Sequence, residues 1–73
     1  MEMTFGEKIK LLRENAALNQ TQLGEKLGMT QRRISYIECG KYEPSLEDIR
    51  LFCRFFGVTA DYLLGLPEKK RNG

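Results

Sequence analysis

Histidine and tryptophan are absent from the 73 residues, cysteine occurs twice and proline twice. Without histidine there is no Ser/His/Asp or Cys/His nucleophile pair, no imidazole acid–base catalysis and no histidine-containing zinc site. Cys39 and Cys53 are too few for a four-thiolate site. They read as free thiols in a reducing, cytoplasmic setting rather than as a disulfide framework. No apolar run approaches the ~20 residues of a membrane span, and no basic-then-apolar stretch opens the chain as a signal segment would. A chain of this length buries only roughly 60% of its unfolded surface, enough for a core but not for a substrate cavity as well. We therefore expect neither an enzyme nor a membrane protein, and no cofactor, metal or small-molecule ligand.

The remaining composition, 41% hydrophobic and 30% charged, belongs to one small globular domain. The net charge of +2 is unevenly placed. Residues 67–73 (Glu68, Lys69, Lys70, Arg71) carry all of it and read as a flexible basic tail, so residues 1–66 are neutral overall. Inside that neutral stretch Lys26, Arg32, Arg33 and Lys41 face only Glu38 between positions 26 and 41, while Glu43, Glu47 and Asp48 cluster just beyond. The positive charge is thus a local patch. A generally basic surface for nonspecific binding is not present.

Start and stop signals divide the chain into five short helices. Thr4 with Glu7, Ser45 with Asp48 and, more weakly, Asn19 with Gln22 form capping-box patterns, and Thr30 and Thr59 precede two further helical runs. Asn15, Gly28, Gly40, Gly57 and Gly65 stand where those runs should end. The spacing predicts helices over 5–15, 20–27, 31–39, 46–56 and 60–65, with no segment alternating as a strand would. Phe5, Ile9 and Leu12 make one apolar stripe, and Leu46, Ile49, Phe52, Cys53 and Phe56 another. Leu51, Phe55, Tyr62 and Leu66 fall off these stripes and are candidates for exposed apolar surface. The expected fold is all-α, a compact five-helix domain.

Residues 20–37 read QTQLGEKLGMTQRRISYI. Two short helices broken at Gly28, with Leu23, Leu27, Ile34 and Ile37 facing inward and Gly24 allowing a close helix crossing, have the shape of a helix-turn-helix. The segment resembles that of the phage-repressor/Cro family, also called the XRE family. The similarity extends from about Phe5 to Leu66 through Asn19-Gln20, Leu23, Gly24, Leu27-Gly28, Thr30, Ile34, Ile37-Glu38, Gly40, Pro44-Ser45-Leu46 and Gly57-Val58-Thr59. Gly24, where the family usually has Ala, and Cys39, where polar or basic residues are common, depart from the pattern. The resemblance implies a lambda-repressor-like DNA-binding domain over residues 1–66.

Advancing 100° per residue from Ile34 puts Ile34, Ile37 and Thr30 on one side of the third helix. Arg32, Tyr36, Ser35 and Cys39 lie opposite, flanked by Gln31 and Arg33. Arginine pairs with guanine edges and glutamine with adenine edges in the major groove. Gln31, Arg32, Ser35 and Tyr36 are therefore the expected base-contacting residues, although Gln31 suits a phosphate equally. Gln20, at a helix N-terminus, Arg13, Thr30, Arg33, Lys41 and Tyr42 are expected at phosphates. For Arg13 the resemblance also implies an ion pair with Glu38, and both roles can coexist.

Together these readings point to a sequence-specific transcriptional regulator, expected to be a repressor, that binds palindromic double-stranded operator DNA as a homodimer. It is either a stand-alone protein or the DNA-binding part of a longer one. Its dimer seam is expected around Thr59, Ala60, Tyr62, Leu63 and Leu66, with Phe55 as a second candidate. The rival reading is a protein-interaction module of antitoxin or bridging-factor type, which resembles the same fold.

Overall fold

Three reciprocal capping boxes and two single caps start every helix of the computed structural model, which describes residues 3–65. At the first, the Thr4 hydroxyl accepts from the Glu7 N–H (3.1 Å) while the Glu7 carboxylate accepts from the Thr4 N–H (2.9 Å). Asn19 with Gln22 and Ser45 with Asp48 repeat the arrangement, and Thr30 and Thr59 cap through their hydroxyls alone. The helices are α1 (Phe5–Asn15), α2 (Gln20–Leu27), α3 (Gln31–Cys39), α4 (Leu46–Phe56) and α5 (Ala60–Leu64), with no strand among the described residues. Leu66 and the tail 67–73 lie outside the described residues.

None of these helices is long enough to persist alone in water, so they depend on a shared core. Ile9, Leu23, Ile34, Ile37, Phe52 and Leu63 form it, one or two residues from each helix. Phe5, Leu12, Leu18, Leu27, Met29, Cys53, Phe56 and Val58 pack around it, and the Phe5 and Phe52 rings meet edge to face. α3 lies centrally between α1 and α2, while α4 and α5 close the opposite side.

Three expectations change. Leu46 continues the α4 stripe by spacing, but it is the first residue of the helix, and there the stripe runs past the edge of the core. Its side chain stands 71% exposed. Thr30, inward on the wheel, is exposed because its hydroxyl turns back to cap the Arg33 N–H. Leu63, expected at a dimer seam, is instead fully enclosed in the core.

The first connection also ends differently. Asn15 is still helical, and the left-handed residue that follows is Ala17 (φ 61°), the one non-glycine residue with positive φ among those described. Gly28 closes α2 in the same conformation (φ 74°). Two glycines instead serve close approach. A methyl group on Gly24 would overlap the Met29 carbonyl oxygen, and one on Gly6 would overlap the carbonyl oxygens of Ile37 and Glu38. Gly24 thus sets how tightly the turn folds back on α2, and Gly6 how closely α1 crosses the end of α3.

Candidate nucleic-acid interface

The α2–turn–α3 unit places one face of α3 outward. Gln31, Arg32 and Tyr36 are exposed along it, as the wheel requires, while Ser35, outward on the same wheel, is half-buried beside them. Ile34 and Ile37, on the other side, are buried and hold the helix down. Arg32, Arg33 and Tyr36 line a shallow open recess with Thr30 and Tyr42. Lys41 and Tyr42 extend the surface beyond Gly40, where the Lys41 N–H donates to the Tyr36 carbonyl (2.9 Å) and the Lys41 ammonium lies 5.8 Å from the Tyr36 ring centre.

Behind this face runs a chain of hydrogen bonds that no sequence pattern reveals as a whole. Arg13 Nε donates to Glu38 Oε2 (2.7 Å), Nη2 to Glu38 Oε1 (3.0 Å), and Nη1 to the Leu18 carbonyl (2.9 Å). Arg13 is only 8% exposed. The hydrogen bonds it donates to Glu38 keep its guanidinium pKa above the usual value, against the lowering effect of burial. The implied α1–α3 ion pair is therefore present, and its geometry conflicts with a phosphate role for Arg13. The donor fork is already committed inside the fold.

Glu38 Oε1 also accepts from Gln20 Nε2 (3.0 Å), and Gln20 Oε1 accepts from Gln31 Nε2 (2.6 Å). A carboxylate only accepts, so Gln20 must turn its amide nitrogen to Glu38 and its oxygen to Gln31. Gln31 must then give one N–H to Gln20. Its carbonyl oxygen and remaining N–H have no partner among the described residues, on a side chain that is exposed. That donor–acceptor pair is what an adenine major-groove edge matches.

Arg33 was expected at a phosphate. In the structure its Nη2 donates to Asp48 Oδ2 (2.8 Å), and its guanidinium lies 4.5 Å from the centre of the Tyr42 ring. The hydrogen bond to Asp48 raises the Arg33 pKa. Gln20, Thr30, Lys41 and Tyr42 remain at the margins of the α3 face. Around the expected seam Thr59, Ala60 and Tyr62 are exposed. Lys8 donates to the Tyr62 carbonyl (2.6 Å) and lies over its ring, tying α1 to α5. Both cysteines are free, Cys39 exposed and Cys53 half-buried. No described helix is long and apolar enough to cross a membrane.

Comparison with known proteins agrees with this geometry. The helix-turn-helix family profile matches residues 9–63. The chain is 42% identical over 66 residues to the HTH-type transcriptional activator BcrR of Enterococcus faecalis, covering 90% of this chain and 32% of that protein. It is 32% identical over 63 residues to the immunity repressor protein of Bacillus phage phi105, covering 86% and 44%. Among solved structures, the P22 c2 repressor in complex with a synthetic operator superposes with a TM-score of 0.80 at 28% identity, over 86% of this chain and 96% of that one. The chain thus spans less than half of either of those curated relatives. With the matched profile, the turn at Gly28 and the outward face of α3 in agreement, the chain belongs to the helix-turn-helix family, in its phage-repressor or XRE branch.

Proposed function

We propose that this domain binds double-stranded operator DNA sequence-specifically and regulates transcription. The observation that carries the reading is the α3 face. Gln31, Arg32 and Tyr36 stand exposed, with Ser35 half-buried beside them, on a helix-turn-helix whose backbone is similar to that of the P22 c2 repressor, a protein solved on an operator. Those four residues read bases in the major groove. Gln20, Thr30, Lys41 and Tyr42 anchor phosphates on either side. Arg13 works from inside, through Glu38 and Gln20.

The relatives include both an activator and a repressor, and one DNA-binding surface serves either outcome depending on where the operator lies. Repression is the simpler reading for the domain alone, because occupying a promoter needs no further contact. Such a protein works in the cytoplasm, where both thiols stay reduced.

Selection from a randomised duplex library, followed by gel shift in moderate salt, tests the reading. Enrichment of a palindromic site is expected. Recovery of random sequence together with a co-purifying protein would favour the interaction-module reading.

A further inference from the structure

Arg33 lies at the edge of the reading face, and although its side chain is still 34% exposed, its guanidinium is bound to α4. Its partner, Asp48, is only 4% exposed, and one oxygen of that carboxylate serves two donors, Arg33 Nη2 (2.8 Å) and the Ser45 N–H (3.0 Å). Ser45 Oγ in turn accepts from the Asp48 N–H (3.1 Å). The other side of the guanidinium lies against the Tyr42 ring. The segment from Gly40 to Ser45 joins α3 to α4 and contains a left-handed glycine and Pro44. It has no core residue of its own. It is tied by a bond at each end and by Arg33 across its middle: the Lys41 N–H on the Tyr36 carbonyl, the Ser45–Asp48 cap, and the Arg33 guanidinium 4.5 Å from the centre of the Tyr42 ring.

We infer that Arg33 is a positioning residue for the loop's phosphate contacts: by clamping Tyr42 and the α4 cap it holds Lys41 and Tyr42 beside the reading face, and it does not itself bind a phosphate. The inference rests on the DNA-binding reading above. Arginine suits the task because its planar fork stacks on a ring and hydrogen-bonds edge-on to a carboxylate at once, which an ammonium cannot do. The neighbouring Arg32 has no ion-pair partner among the described residues, so two adjacent arginines divide into a reader and a clamp.

Salt-dependent titration of the selected operator separates a clamp from a contact, because each neutralised phosphate adds about 0.9 to the slope of log affinity against log salt. Wild type, Arg33→Met, Lys41→Ala and the double variant are compared, with thermal midpoints recorded for each. A clamp predicts that each single variant lowers the slope by about one per protomer and that the double variant lowers it no further. Additive losses, or an unchanged slope in Arg33→Met, overturn the inference. Arg33→Lys keeps the charge and covers the case where Arg33→Met unfolds. It is expected to behave like Lys41→Ala, and a wild-type slope would overturn the clamp. Asp48→Asn gives an opposite-sign check. Removing a competing carboxylate should tighten DNA binding if Arg33 touches phosphate and weaken it if Arg33 is a clamp. If the wild-type protein selects no site at all, the DNA-binding reading fails rather than this one.

Discussion

At the residue scale, the proposed recognition divides between a side chain left free and one held in place before DNA arrives. Arg32 is exposed near the N-terminal end of α3 and free of ion pairs among the described residues, which suits a bidentate guanine contact. Arg32→Ala should cost about 1–3 kcal/mol on the preferred site and relax one operator position. Equal loss on scrambled DNA in parallel titrations would make it a phosphate contact instead. Gln31 is different, because its orientation is inherited through Gln20 from the buried Glu38 carboxylate. Gln20→Met keeps the length of the side chain and leaves the Arg13–Glu38 pair intact, so the fold should stand. Gln31 then loses its partner, and discrimination at its base should fall by roughly 1 kcal/mol. A binding-site selection on the variant checks this, and an unchanged preference with uniformly weaker binding would make Gln20 a phosphate contact only. The exposed face itself was legible from the sequence, because helical periodicity fixes which residues share a side. The Glu38–Gln20–Gln31 chain was not, since it depends on the crossing of α2 and α3 and on which amide end faces which neighbour. The burial of Arg13 and the pairing of Arg33 escaped for the same reason: charge alone does not say which way a long side chain turns.

At the element scale, the caps decide where helices begin and glycines decide how closely they approach. Gly24→Ala looks favourable by helix propensity and by the family's usual Ala, which would hold only if the methyl group fitted the helix crossing. It does not fit, because the added carbon would overlap the Met29 carbonyl oxygen, a backbone atom that cannot swing away. Overpacking of this kind typically costs about 1–3 kcal/mol. Gly28→Val meets no neighbour within 4 Å, but its φ of 74° is a conformation that branched side chains resist, so it should cost more than about 1 kcal/mol. Urea midpoints of the two variants check both values, and a Gly24→Ala protein as stable as wild type would mean that the turn relaxes outward. Ala17 offers the converse. With φ 61° on an alanine, Ala17→Gly should stabilise by up to about 1 kcal/mol, the left-handed penalty exceeding the extra unfolded-state freedom of glycine. A lower urea midpoint for that variant would contradict this. Helix limits were readable because Thr4, Asn19, Thr30, Ser45 and Thr59 are short polar acceptors at the right places. Gly6 is not legible in the sequence, because nothing near it in the chain marks it. Its neighbours, Ile37 and Glu38, are more than thirty positions away.

At the scale of the whole molecule, one recognition helix reads only ~4–5 base pairs, so we propose that two copies bind paired half-sites about one helical turn apart. We propose that the seam lies at the exposed residues Thr59, Ala60 and Tyr62, with Phe55, 39% exposed, as the second candidate. The large apolar side chains exposed there are Tyr62, Phe55 and the 48% exposed Leu64. Leu63 belongs to the core, and Tyr62 is partly engaged by Lys8, so association should be weak in free solution and should emerge on DNA. Ala60→Glu tests the seam with little risk to the fold. It puts a carboxylate on the first residue of α5, where the helix dipole favours negative charge, and in a dimer it sets two like charges against each other. Binding to an isolated half-site should remain close to wild type, while affinity for two correctly spaced half-sites should fall at least about tenfold, some 1.4 kcal/mol. Lengthening the spacing by half a helical turn should weaken the wild-type protein and leave Ala60→Glu nearly unaffected. A wild-type isotherm with one protomer per operator and no dependence on spacing would show that the domain reads DNA as a monomer.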